Sequence, residues 1–403
     1  MKISTLALAL AAATTLPFTV QADDSFTFSG YARYGAGYSD DGPLYKGSLQ
    51  NGINVIQTAG NQYTKTGRLG NEGNGFEFKL NKAFIQDDMK WDVAVMLDDG
   101  YDGQATGISQ AYAGGSGIFA TQPNAYIWAG QRFNDREQLG TNDYYVLQND
   151  GTGGGVDNLD FGFAKFDIAV VAGDKGRNGR YAVTSQLHDI ILTDNQSLRF
   201  HANFGWGNGY EQDGTDDAAT KKVDDHTAYQ LAGIYRLTWA SGWNEFLVRY
   251  GNGTRSQILN NGTGGDGDTL GAFMQGEIDF TNNILMEYTF SHEDNDLETN
   301  VSGTDEKWNQ AVIRPGYRWN DRMSTWLELG YDQVKFGDNL GTNSSWKATL
   351  SQNVGLGSFM GSRPMLRFFA TYGELDTEYV AATQAKDGTS DGLTFGAMFE
   401  AWW

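Results

Sequence analysis

The strongest constraint on this chain is a two-residue rhythm that recurs from end to end. Between Ser25 and Tyr38 the even positions read Phe26, Phe28, Gly30, Ala32, Tyr34, Ala36 and Tyr38. The odd positions read Ser25, Thr27, Ser29, Tyr31, Arg33, Gly35 and Gly37. Near the C-terminus Leu393, Phe395, Ala397, Phe399, Ala401 and Trp403 alternate with Thr394, Gly396, Met398, Glu400 and Trp402. The same rhythm runs through Trp91 to Leu97, Phe246 to Tyr250 and Ile284 to Phe290. Period 2 sends one set of side chains to each face of a strand, so these segments are strands with one apolar and one polar face. A helical period is nowhere sustained.

The connections come in two sizes. Short turns fall at Ala164-Lys165, Thr193 to Gln196, Ala240 to Gly242, Thr281-Asn282 and Asn320 to Arg322. Long segments rich in Gly, Asn and Asp fall at 39–67, 99–107, 134–156, 174–186, 207–227, 252–270, 292–307, 332–345 and 374–391. If each long loop caps a hairpin, there are about 18 strands, a number typical of large outer-membrane barrels. A soluble β-sandwich also alternates, but nine long loops interleaved with short turns do not suit it. The expected fold is an all-β transmembrane antiparallel barrel with short periplasmic turns and long extracellular loops. Closure is obligatory there, because an unpaired strand edge in lipid finds no water. The 403 residues then form one barrel rather than two or three soluble domains, and the 53 glycines find their place in loops and on the lumen face.

The N-terminus reads as an export signal over residues 1–22. Lys2 is followed by the apolar run Leu6 to Ala13, and Val20 and Ala22 are small residues before Asp23. That layout predicts cleavage after Ala22, with the barrel on 23–403. No later apolar run is long enough for a membrane helix, and the chain has no cysteine. The compartments left are periplasm, outer membrane or medium of a Gram-negative cell. With 29 basic against 50 acidic residues, a nucleic-acid partner is not expected. The four histidines show no metal spacing, and Ser197 near His201 lacks a third member for a hydrolase triad. No cofactor is expected. The acidic runs Asp98 to Asp102 and Gly265 to Asp268 carry the oxygen ligands Ca²⁺ takes, though a solvated acidic loop has the same composition.

Several segments resemble the maltoporin family of sugar-specific outer-membrane porins. They are Phe28-Ser29-Gly30-Tyr31-Ala32-Arg33, Arg68-Leu69-Gly70-Asn71-Glu72, Ile127 to Phe133, Asp143-Tyr144-Tyr145, Gly242 to Phe246, Ile313-Arg314-Pro315, Ser362-Arg363-Pro364, Phe369 to Tyr372 and the terminal Trp402-Trp403. Each is short, but their order spans the chain. The resemblance implies an 18-stranded homotrimer in outer-membrane lipid and lipopolysaccharide, with a third loop folded into the pore. It implies passage of maltose- or maltodextrin-like oligosaccharides along a slide of lumen aromatics flanked by ionic groups. The chemistry is coherent. A sugar ring has an apolar face for aromatic contact and a rim of hydroxyls for charge-assisted hydrogen bonds, and each contact must be weak enough to release.

By motif, the slide would comprise Tyr31, Tyr101, Trp243, Phe359 and Trp402. Alternation independently turns Tyr31, Trp243 and Trp402 to the polar face, whereas it turns Phe76 to lipid. The polar track would comprise Arg33, Arg68, Glu77, Arg136 and Asp143, with Tyr145 as the tyrosine of the constriction. A plain solvated ion pair is the bland reading of Arg136 and Asp143. The chain departs from the family at three places: Tyr101 replaces a common tryptophan, Ser109 a base and Gln148 an acid. A sucrose- or β-glucoside-preferring channel of the same family therefore stays open, as does a general diffusion porin, which needs no lumen aromatics.

Overall fold

In the computed structural model the described residues are 26–39, 49–50, 53–54, 56, 58–59, 66–99, 106–173, 179–207, 210–212, 221–223, 225–260, 267–297, 305–357, 363–380 and 388–403. The expected alternating segments are strands of one 18-stranded antiparallel sheet. In chain order they are β1 (Phe26–Ser39), β2 (Gly75–Gln86), β3 (Met89–Asp98), β4 (Gly107–Ser116), β5 (Tyr126–Arg132), β6 (Gly151–Asp160), β7 (Lys165–Ala172), β8 (Arg180–Thr193) and β9 (Gln196–Gly207). Then follow β10 (His226–Trp239), β11 (Gly242–Asn252), β12 (Asp268–Thr281), β13 (Ile284–Asn295), β14 (Glu306–Arg318), β15 (Met323–Phe336), β16 (Gly341–Gly355), β17 (Met365–Thr377) and β18 (Gly388–Trp402). Each strand pairs with the next, and β18 returns to pair with β1, setting Tyr31 against Trp402 and Arg33 against Glu400. The sheet is a closed barrel, as expected.

Its polarity is inverted relative to a soluble protein. Phe28, Phe200, Phe246, Leu366, Phe368 and Phe395 are exposed on the outer face, while Arg249, Arg367, Lys347, Glu293 and Glu328 are buried inside. Charged residues are hidden only when paired, and an apolar girdle is stable only against lipid. Phe76 belongs to the outer set. It stacks on Phe78 at 4.5 Å, and Phe78 in turn lies against Trp403 and Phe28.

Two expected loops are shorter than their composition suggested. The segment 332–345 is mostly strand, closed by the turn 337–340, and 174–186 already enters β8 at Arg180. Both misreadings have one cause. Inward positions of a lumen wall are polar, as with Asp332, Asn343, Ser345 and Thr184, so a wet strand imitates a loop.

The third loop, between β5 and β6, folds into the lumen as expected, and two further loops join it. Loop 1, between β1 and β2, sends Ala59 and the segment 66–74 against β15 to β17. Ala59 N donates to Ser345, Lys347 donates to the Gly67 and Leu69 carbonyls, and Leu69 N donates to Glu328. Gly67 sits at φ 76° with the Glu328 carboxylate where a Cβ would stand, so only glycine fits that turn. Loop 6, between β11 and β12, places Ile258 and Leu259 on Trp128, Val171 and Ala182. Leu139, Tyr144 and Val146 of loop 3 and Ala59 of loop 1 pack with Ile234, Leu247, Phe273, Trp308, Val334 and Leu375 of the wall. A hydrophobic core therefore fills one side of the lumen. On the opposite arc, inward residues such as Glu77, Lys79, Asn81, Tyr112 and Tyr126 stay half-exposed. The open path runs along that arc.

Candidate functional site

The pairing of β1 with β18 turns Tyr31 and Trp402 inward together. Their rings stack at 6.2 Å with 28° between planes. The Arg363 guanidinium lies 4.3 Å from the Trp402 ring centroid. Beside this stack Glu400 gathers four groups: Tyr31 Oη donates to it at 2.7 Å, and it pairs with Arg68 at 2.8 Å, Arg363 at 2.7 Å and Arg367 at 2.9 Å. Arg367 continues to Glu72. Burial opposes the charge on Glu72 of loop 1, but Arg367 and Arg68 hold its carboxyl below the usual range. Burial likewise opposes the Arg68 charge, and Glu400 and Asp143 overcome it. The network offers a fixed rim of donors and acceptors next to two rings.

The narrowing is made where loops 1 and 3 meet. Asp143, at φ 56° in the tip of loop 3, pairs with Arg33 at 3.0 Å and Arg68 at 3.6 Å. Arg33 Nε also donates to the Gly73 carbonyl at 2.8 Å, and Arg68 N donates to Thr141 O at 2.8 Å. Within loop 3 the short hairpin of Arg136–Gln138 and Tyr145–Gln148 carries the second group. Arg136 forks onto Asp150, with Nε donating at 2.7 Å, and lies 3.3 Å from the Phe133 centroid and 5.3 Å from that of Tyr145. Glu77 on β2 lies within the electrostatic reach of Arg136 and Arg33. Loop 3 is pinned across the barrel by Asp135 to His201 at 2.5 Å, Glu137 to Arg199 at 2.9 Å, Asn142 to Gln310 at 3.0 Å and Tyr144 to Glu293 at 2.6 Å.

Of the residues expected at the site, Tyr31, Trp402, Arg33, Arg68 and Asp143 form one contiguous cluster, and Arg136 with Tyr145 forms a second. Arg136 and Asp143 are not paired with each other; each has its own partners. Trp243 faces inward on β11, away from the Tyr31–Trp402 wall, with the Arg236 guanidinium 4.4 Å from its ring. Tyr101 and Phe359 lie outside the described residues, as do parts of both acidic runs considered for Ca²⁺. Among the described residues no cluster of three His, Asp or Glu suits a metal ion. Ser109 donates to the Met96 carbonyl, and Gln148 bonds to Asp150 and Gln257, so neither supplies a charge. Glu400 and Arg367 were not expected at the site. The available signal was a lone carboxylate on the inward face of β18, two residues from Trp402.

A closed barrel with an apolar outer belt and an ionic lumen narrowed by its own loops is an outer-membrane porin. The sequence matches the LamB porin profile over residues 26–403, and the chain belongs to that family. It is a channel of the Gram-negative outer membrane and not an enzyme. Solved structures with the same fold include OccK10 (OpdN) of Pseudomonas aeruginosa, at 10% identity and TM-score 0.52, covering 93% of this chain and 98% of that one. Weaker matches are to the outer membrane channel DcaP of Acinetobacter baumannii (12% identity, TM-score 0.47, covering 95% and 99%) and an anion-selective porin from Comamonas acidovorans (11%, 0.45, 94% and 100%), and nothing is built on them. The OccK10 likeness speaks to the fold alone.

Proposed function

We propose that the channel conducts neutral oligosaccharides of the maltose and maltodextrin type by facilitated diffusion. The observation that carries this reading is the inward Tyr31–Trp402 stack flanked by Arg363, Arg68 and Glu400. A general pore has no use for an aromatic stack facing water, whereas a sugar ring needs an aromatic face beside fixed hydrogen-bonding groups. Arg33, Asp143, Arg136 and Tyr145 would hold hydroxyls at the neck, with Glu77 beside them. Trp243, Tyr101 and Phe359 would extend the slide. A sucrose- or β-glucoside-preferring channel is the second reading, favoured by the uncharged Ser109 and Gln148.

Ion current through the purified protein in a planar bilayer is the test. Maltooligosaccharides are expected to block it, and Trp402→Ala to raise the half-blocking concentration about tenfold, the worth of one stacked aromatic contact at the upper end. Current indifferent to maltose, sucrose and an aryl-β-glucoside alike at millimolar level would return the channel to general diffusion. We also read residues 1–22 as a signal peptide and the working unit as a homotrimer in lipopolysaccharide-bearing lipid. N-terminal sequencing of the outer-membrane form should begin at Asp23; a start at Met1 removes the export reading.

A further inference from the structure

We propose a second carbohydrate-contact strip on the half-exposed arc of the lumen, formed by Lys79, Asn81, Tyr112 and Arg132. The proposal rests on the sugar-channel reading and adds a place where the chain length of the sugar is sensed. Lys79 and Asn81 share the inward face of β2, and Tyr112 and Arg132 face inward from β4 and β5. Lys79 Nζ donates to Tyr112 Oη at 3.0 Å and stands 5.2 Å from the ring centroid. Arg132 sits 5.5 Å from Tyr112 and 4.9 Å from Trp128, and its charge is matched by Asp157 at 2.6 Å.

One feature separates this from a self-contained structural cluster. An ammonium has three donors, yet among the described residues Lys79 joins no carboxylate and its hydrogen-bond partner is a neutral phenol. A hydroxylated ring laid on the half-exposed Tyr112 accepts from Lys79. Because Arg132 is neutralised by Asp157, the strip suits an uncharged polyol. It lies on the turn side of the Arg33–Asp143 neck, so a short sugar held at the neck does not reach it and a long one does.

The test compares maltose and maltohexaose as blockers of the reconstituted full-length channel, for the parent, Tyr112→Ala, Tyr112→Phe and Lys79→Met. Tyr112→Ala is expected to weaken maltohexaose block about fivefold, with maltose changed less than about twofold. Tyr112→Phe keeps the ring and should recover most of the loss, and Lys79→Met should behave like a milder Tyr112→Ala. If the alanine variant fails to reach the membrane, Lys79→Met carries the comparison. Block by both sugars weakened equally overturns a separate strip. Block by both unchanged also overturns it and leaves the sugar channel standing. A parent channel that no sugar blocks overturns both.

Discussion

A Glu400→Gln channel is expected to unfold at a clearly lower temperature than the parent and to carry a noisier current. Glu400 is almost fully buried and meets three guanidinium groups. Removing one partner from a buried ionic cluster typically costs about 3–5 kcal/mol, because the remaining charges stay desolvated. The lower end is expected here. Arg367 keeps Glu72 and Arg68 keeps Asp143, and the glutamine oxygen still accepts from Tyr31. The noise follows from position: Arg68 ties loop 1 to β18, so weakening that tie lets the rim of the neck fluctuate. Heat-dependent gel mobility and single-channel recording read the two effects. A melting temperature and noise equal to the parent's would show that the cluster does not hold the loop.

The second large effect is expected from Tyr144→Ala, with higher conductance and weaker sugar block together. Tyr144 anchors loop 3 inside the barrel, 5.7 Å from the Phe273 ring and 5.1 Å from the Trp308 ring, while its hydroxyl donates to Glu293. Emptying a buried aromatic site costs about 3–5 kcal/mol, enough to free the tip of the loop. Asp143 sits next in sequence, so its pairs with Arg33 and Arg68 loosen too. Tyr144→Phe divides the effect. It keeps the ring and removes one bond from Glu293, which retains Arg249 at 2.7 Å, and should cost about 1 kcal/mol with conductance near the parent's. An alanine channel with parental conductance would mean that loop 3 stands without this anchor.

How much of this could be read from the residues depended on which physics placed each one. The inward turn of Tyr31, Arg33, Trp243 and Trp402 was legible, because lipid and lumen impose opposite polarity on successive residues. So was the outward turn of Phe76. The third loop was expected inside on resemblance, but loops 1 and 6 were not. Their anchors, such as Lys347 reaching the Gly67 and Leu69 carbonyls, join positions about 280 residues apart, and no local pattern encodes that. The partners of Asp143 illustrate the limit. Its place in the neck is an expectation from resemblance, whereas its pairing with Arg33 and Arg68 rather than Arg136 follows from the left-handed turn at its own position and from loop 1 arriving beside it.

The one-sided filling of the lumen has an evolutionary consequence. Residues under the hydrophobic core are committed to stability, since any change there opens a cavity or strands a charge. The half-exposed inward residues of the open arc, such as Glu77, Lys79, Asn81 and Tyr112, take no part in that core. Substrate preference can therefore drift by single substitutions along that arc without a compensating change in the scaffold. A lineage could retune what it imports while the rest of the circumference stays fixed.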